Sequence, residues 1–248
     1  MTDLFQNKTW WIIGASEGLG RALAEALDER GAHLVLSARG ANRLQDLAAS
    51  LKHARAVPFD VTDSEAVETA SREAGAVDGM IYCVGQYDPM HAQEWNAAQV
   101  TLMTKANFTG ALDVLAHALP PMLARDRGHI VLIGSLAGYS GLPGAIGYGA
   151  SKAALMHLAE NLQADLRNTG LSIKQINPGF IRTRLTAKNT FEMPFILSPE
   201  EAARRTLRAI ESRRFATAFP AVFSWLFRAG RFLPRGLFLR LFPSPKPN

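Results

Sequence analysis

The strongest constraint on this chain is a junction near its start. A short apolar run, Thr9-Trp10-Trp11-Ile12-Ile13, ends at Gly14; Ala15-Ser16-Glu17-Gly18-Leu19-Gly20 follows, and then Arg21-Ala22-Leu23-Ala24-Glu25-Ala26-Leu27. The apolar run reads as a buried parallel strand, and the alanines and leucines beyond the glycines are strong helix formers. Strand, glycine turn and helix in that order make a phosphate site. Glycines let the backbone approach a pyrophosphate, and the unpaired N–H groups at the helix start hold its charge. The spacing is GxxxGxG rather than GxGxxG, so a tight structural turn stays open as the alternative.

The rest of the chain repeats this alternation. Strands are predicted at 33–38, 55–59, 77–85, 129–135 and 171–177. Helices are predicted at about 41–52, from Thr62-Asp63-Ser64-Glu65, at about 93–105, at 107–125 with an interruption at Pro120-Pro121, and through Tyr148 to about Asn168, with Gly170 as its stop. A further helix opens at Ser198-Pro199-Glu200-Glu201, with an N-cap serine, a first-position proline and early acids. Six strands alternating with helices predict a Rossmann-type doubly wound parallel sheet of three α/β/α layers. At 248 residues, 48% hydrophobic and 20% charged, one large α/β domain fits better than two small ones.

Several function classes fall away. A single cysteine, Cys83, excludes an internal disulfide framework, and no CxxC or His-x3-His spacing points to a metal. The polar start, Met1 to Lys8, runs straight into the first strand, so no signal peptide and a cytoplasmic setting are expected. The glycosylation-like triplets at Asn7 and Asn107 are then coincidental. Beyond Glu211 the chain has no acid and seven of its 27 Lys and Arg residues: Arg213, Arg214, Arg228, Arg231, Arg235, Arg240 and Lys246. The remaining 20 face 22 acids, a net of −2, so the basicity belongs to a tail and no nucleic-acid-binding body is expected.

Ligands of an open parallel sheet bind at the carboxyl ends of its strands. There the second strand delivers Ala38-Arg39, with no acid to take a ribose 2′-hydroxyl and an arginine suited to a 2′-phosphate, which favours NADP(H) over NAD(H). A solvated surface arginine is the alternative. Glu17, an acid beside the phosphates, is expected to point outward. Asp60 is placed to meet the adenine amino group, and the fifth strand delivers Ser135. Tyr148 and Lys152, four apart on a helix, share one face. A neighbouring cation eases loss of the phenol proton and makes Tyr148 a usable acid or base.

In order and spacing, Gly14-x-x-x-Gly18-x-Gly20, Asn107, Ser135, Tyr148-x-x-x-Lys152, Pro178-Gly179 and Thr183 resemble the classical short-chain dehydrogenase/reductases over roughly residues 8–212. The resemblance implies that Tyr148 protonates the alkoxide as hydride reaches the carbonyl carbon. It implies that Ser135 hydrogen-bonds the substrate oxygen, and that Lys152 holds the nicotinamide ribose and lowers the Tyr148 pKa. Asn107 would anchor a water linking Lys152 to solvent; a buried asparagine satisfying helix backbone is the alternative. Cofactor contacts are implied at Ser16, Leu19, Val61 and Gly85, and at Pro178, Gly179, Ile181 and Thr183 around the nicotinamide. Two departures stand out. Tyr82-Cys83-Val84-Gly85 replaces the usual Asn-Asn-Ala-Gly, and Ile13 stands where threonine is common.

By that resemblance residues 184–197 hold the place of a mobile substrate lid, within a catalytic domain expected to span 1–212. Phe191, Met193, Phe195 and Ile196 would give its pocket an apolar wall, or pack as part of an ordered loop. Residues 213–248 form a basic, Phe-rich amphipathic helical tail in which Phe215, Phe219, Phe223 and Phe227 recur every four residues. Its apolar runs are too short to span a bilayer. It caps the pocket or a subunit interface, the favoured reading, or lies on a membrane surface through 215–242. The expected activity is NADPH-dependent reduction of a hydrophobic ketone, aldehyde or 3-oxoacyl compound, or the reverse, and the resemblance implies a homodimer or homotetramer. The alternatives are a non-catalytic NADP(H) sensor or scaffold, and a reductase of carrier-protein-bound 3-oxoacyl groups docking at Arg125, Arg127 and Arg167.

Overall fold

The computed structural model describes residues 3–189, 191–230 and 232–241. In chain order its main elements are β1 (Thr9–Ile13), α1 (Gly18–Asp28), β2 (His33–Ser37), α2 (Ala41–Ser50), β3 (Ala54–Ala56), α3 (Ser64–Ala74), β4 (Gly79–Tyr82) and α4 (Ala97–Thr104). After a π-helical turn, Lys105–Thr109, come α5 (Gly110–Ala124), β5 (Gly128–Ile133), α6 (Ile146–Asp165), β6 (Leu171–Pro178), α7 (Pro199–Glu211), β7 (Ala216–Phe219), α8 (Ala221–Gly230) and α9 (Arg235–Arg240).

The strands form one parallel sheet in the order β3-β2-β1-β4-β5-β6-β7. Successive side chains of a strand point to opposite faces, so Trp10 and Ile12 join one core and Trp11 and Ile13 the other. The first core takes Leu23 and Leu27 of α1, Leu44 of α2 and Leu207 of α7; the second takes Val67 of α3, Val114 of α5 and Leu155 of α6. Helices therefore cover both faces, and the three-layer doubly wound architecture is as the alternation predicts. The strand order reverses between β1 and β4, which opens a crevice at their carboxyl ends.

The differences from expectation have local causes. The third strand stops at Ala56 because Pro58 offers no N–H; single bonds from Val57 N to Leu36 O and from Phe59 N to Ala38 O carry the ladder on. Pro120 and Pro121 do not interrupt α5, whose last turn is held by the buried Ala118 and Met122. The helices expected at 93–105 and 107–125 become one helical path from Ala97 to Ala124, broken only by the π turn. Asn96 caps its start by accepting from Gln99 N at 3.1 Å. The helix of Tyr148 ends at Asp165, and Leu166 to Gly170 is turn.

A seventh strand was not expected. β7 lies inside the segment whose phenylalanines recur every four residues, and it pairs with β6 from Gln175↔Ala216 to Pro178↔Phe219. The four-residue spacing therefore crosses a strand and a helix: Phe219 ends β7, while Phe223 and Phe227 are buried on α8. Arg231, Phe242 and Lys246 lie outside the described residues. Among the described residues, no helix is long and apolar enough to cross a membrane.

Candidate active site

The crevice at the carboxyl ends of the strands begins with the glycine turn. Gly14 has φ +95°, and a Cβ there would lie 2.9 Å from the Cys83 carbonyl carbon at the end of β4. A Cβ on Gly20 would stand 2.0 Å from Gly14 O, so α1 packs on the turn only because that residue is glycine. No side chain caps the N-terminus of α1, which leaves its first N–H groups for an anion. Ser16, Gly18 and Leu19 line the same end; Arg39, Asp60 and Val61 line the crevice beyond them. Asp60 Oδ1 accepts from Thr62 N and Thr62 Oγ1, both at 2.9 Å.

Glu17 does not simply face solvent. Its carboxylate accepts from Arg184 Nη2 at 2.7 Å and Nε at 3.1 Å, with Arg43 Nη1 at 3.4 Å. The acid that would repel a phosphate is thus paired with arginines. Sequence reasoning singled out Glu17 but had no signal for partners 26 and 167 residues away.

At the other end, Ser135 leaves β5 as the N-cap of a short 3-10 turn and accepts from Ala137 N at 3.1 Å. Its hydroxyl lies close enough to that of Tyr148 to act on the phenol. Tyr148 keeps part of its surface open, yet its surroundings push the phenol pKa up. Burial is the main cause, Ser135 pulls the other way, and Tyr87 and Cys83 add to the rise. The expected lowering by Lys152 is overturned: desolvation outweighs every favourable partner. Lys152 is buried, and its ammonium donates to Val84 O at 2.9 Å and Ile133 O at 2.8 Å, bridging the ends of β4 and β5. Burial brings its pKa down to about 8, against a smaller opposing pull from Cys83. Burial likewise pushes the Cys83 thiol up to about 12.

Of the expected site residues, only Asn107 stands behind the crevice wall. It sits fully buried in the π turn, where its Oδ1 accepts from Gln86 N at 2.7 Å and its Nδ2 donates to Gln86 O and Ser151 Oγ, both at 2.9 Å. Ser151 Oγ in turn donates to Tyr148 O at 2.9 Å. Asn107 thereby fixes the Gly85-Gln86 backbone against α6. The departure at Tyr82 is compensated nearby, because its hydroxyl donates to Ala106 O at 2.6 Å, in the same turn.

Pro178, Gly179, Ile181 and Thr183 line the crevice beyond β6, and Leu185 lies over Gly85. Tyr87 was missed. Its ring meets that of Tyr148 edge-on at 5.0 Å, and its hydroxyl donates to Asn189 Oδ1 at 2.9 Å. Lys188 Nζ donates to Tyr87 O at 2.7 Å and Asp88 Oδ1 at 2.5 Å, so Lys188 and Asn189 are tied to the segment after β4. Phe191 and Phe195 of the lid are exposed, while Met193 and Ile196 are half-buried. Thr190 lies outside the described residues. Among the described residues, no cluster of His, Cys, Asp or Glu could hold a metal.

A glycine-cradled crevice ending in paired serine and tyrosine hydroxyls defines a class of dinucleotide-dependent oxidoreductase, and the comparisons agree. The short chain dehydrogenase family model matches residues 8–193, and the chain belongs to the short-chain dehydrogenase/reductase family. An uncharacterized oxidoreductase of Myxococcus xanthus (strain DK1622) is 35% identical over 239 residues, 93% of this chain and 94% of the relative. Among solved structures, a putative betaketoacyl-ACP reductase is 28% identical, with a TM-score of 0.78, covering 86% of this chain and 96% of that one. A short chain dehydrogenase from Burkholderia cenocepacia J2315, in complex with NADP, shares the fold with a TM-score of 0.86 at 23% identity, covering 97% of this chain and 99% of that one.

Proposed function

We propose that this chain reduces the carbonyl of a hydrophobic ketone, aldehyde or 3-oxoacyl compound to the alcohol, or runs the reverse reaction, with NADP(H) preferred. The observation that carries this reading is the Ser135–Tyr148 hydroxyl pair at the mouth of the crevice, on the helix that buries Lys152. The glycine cradle and the open N-terminus of α1 suit a pyrophosphate. Arg39, with no acid at the end of β2, suits a 2′-phosphate. When bound, the nicotinamide supplies or takes up a hydride.

The chain's own residues do the rest. Ser135 donates to the substrate oxygen and stabilises the negative charge that grows there, an effect of about 3 kcal/mol for a comparable donor. Tyr148 hands its proton to that oxygen, or removes it in reverse. Lys152 holds the nicotinamide ribose and keeps a positive charge near the phenol. Asn107 keeps Gly85-Gln86 and α6 in register and is the anchor for a proton-relaying water. In this reading the catalytic unit is residues 1–212 with the lid at 184–197, α8 covers the lid side, and the chain works as a dimer or tetramer.

The inclusion of 3-oxoacyl compounds is supported by the likeness to the putative betaketoacyl-ACP reductase. Docking of a carrier protein through Arg125 and Arg127 is not favoured. Arg125 is bonded to the Val77 and Arg127 carbonyls, and Arg127 lies 3.7 Å from Asp78, at the amino ends of the strands and away from the crevice. The sensor or scaffold reading has against it the assembly of Ser135, Tyr148 and Lys152 in one place. The test is NADPH oxidation against a panel of such carbonyls. Tyr148→Phe is expected to lower turnover about 100-fold to 10,000-fold with NADPH affinity unchanged. Activity that survives the change refutes the mechanism, and tight NADPH binding without turnover on any carbonyl restores the sensor reading.

A further inference from the structure

The C-terminal helix packs behind the Pro178-Gly179 turn that lines the crevice. β7 ends at Phe219, paired with Pro178, and Gly179 N donates to Phe219 O at 2.8 Å, so α8 starts at the level of the Pro178-Gly179 turn. A Cβ on Gly179 would meet Leu136 Cδ1 at 3.2 Å, Pro220 Cδ at 3.3 Å and Phe223 Cδ1 at 3.4 Å. Phe223, 8% exposed, therefore backs the turn from one side, while Leu136, the neighbour of Ser135, backs it from another.

The lid closes on this residue. Phe195 lies 5.9 Å from Phe223 and Phe191 lies 5.8 Å from Phe180, with Phe180 and Phe223 themselves 5.8 Å apart between ring centroids. Phe227 holds Phe223 from behind, edge-on at 5.0 Å. Phe195 has φ +57°, a left-handed conformation that bulky residues rarely adopt, and its ring meets that of Phe223. Both lid rings remain more than half exposed, at 54% for Phe191 and 58% for Phe195. The outer pair can therefore lift while the inner pair, Phe180 and Phe223, stays.

We infer that Phe223 is a specificity-determining residue, the fixed aromatic floor on which the lid closes, so that the apolar body of the substrate lies between Phe180–Phe223 and the Phe191–Phe195 edge of the lid. The substrate class that follows is a carbonyl carried on a flat or extended apolar group rather than a small polar one. This rests on the proposed reaction centre at Ser135 and Tyr148.

The experiment compares a long apolar carbonyl with a short one, with Trp225→Ala on the outer face of α8 as control. Phe223→Ala is expected to lower kcat/KM for the long substrate about 10-fold to 100-fold. The loss falls mainly in KM, with little change for the short substrate or for NADPH affinity, and Phe223→Leu recovers part of it. An unchanged ratio of long to short kcat/KM in both Phe223 variants overturns the inference. So does an equal loss on both substrates, which marks a structural role. A second readout needs no turnover: tryptic cleavage after Lys188 in the lid should quicken several-fold in Phe223→Ala and stay at the parent rate in Trp225→Ala. Unchanged cleavage overturns the floor role even if no carbonyl in the panel is reduced, a result that would count against the reaction and not against the lid contact.

Discussion

Two helices flank the carboxyl end of β6 and work by opposite means. α6 brings Tyr148 beside Ser135, and Ser151 and Lys152, which are hydrogen-bonded to Asn107, Tyr148 O, Val84 O and Ile133 O. α8 brings Phe223 and Phe227, whose rings meet each other, with Phe223 also against Phe180 and Phe195. The polar helix tolerates one arrangement, because an unpaired buried donor or acceptor costs about 1–3 kcal/mol. The aromatic helix tolerates several, since dispersion falls off gradually and any similar apolar volume fills the space. Substitutions in α6 should therefore act as switches, and those in α8 as graded adjustments.

The sharpest test of the polar side is Lys152. Its buried ammonium titrates near pH 8, so carbonyl reduction should decline as pH rises through that value, and Lys152→Met should lose turnover about 100-fold or more at pH 7. Stability should move the other way. Between about pH 8 and the ordinary lysine value of 10.5, the unfolded chain holds a proton that the folded chain has released, so folding gains as pH rises. Denaturant unfolding of wild type and Lys152→Met across pH 7 to 10 checks the sign. A wild-type curve that loses ground to the variant over that range would show that burial does not govern this lysine.

A smaller effect is expected at Tyr82, which supports the polar side from below. Tyr82→Phe leaves Ala106 O without its 2.6 Å donor inside the π turn that holds Asn107. The cost should be about 1–3 kcal/mol, at about 2–4 °C of melting temperature per kcal/mol in a chain of this size. Turnover should fall less than tenfold, because the Asn107 bonds to Gln86 and Ser151 remain. A larger loss of turnover than of stability would mean that Tyr82 acts on the reaction through Asn107.

The polar half of the site was legible in the sequence because it is made of rare residues at fixed spacings whose chemistry needs partners. Strand order placed the glycine turn and Ser135 at one sheet edge, and the resemblance to the short-chain dehydrogenase/reductases brought Tyr148 and Lys152 to the same place. Electrostatic outcomes were less legible. The Tyr148 pKa follows burial rather than the nearby lysine, and Glu17 is paired with Arg184, 167 residues away. The aromatic half was misread for a different reason. Phenylalanine every fourth residue matches a helix, but Phe215 and Phe219 bracket a strand of period two, and only Phe223 and Phe227 obey the helical spacing. Tyr87 carried no signal beyond its place after Gly85-Gln86, and its role emerges only from its contact with Tyr148.

The smallest effect is expected on the outer face of α8, and it decides what the tail is for. Val222 and Trp225 point away from Phe223 at 76% and 64% exposure, and Phe232 beyond the helix is 90% exposed. Arg228 lies over the Trp225 ring at 5.6 Å, an arrangement at home in water. If the tail serves the lid through its inner face, the double variant Trp225→Ala/Phe232→Ala should melt within about 0.5 kcal/mol of the parent and turn over at the parent rate. The intact protein should then fail to sediment with anionic vesicles. Sedimentation that is abolished by the double variant and by high salt would assign the outer face to a membrane surface, leaving Phe223 to the lid, because the two faces of one helix can serve different partners.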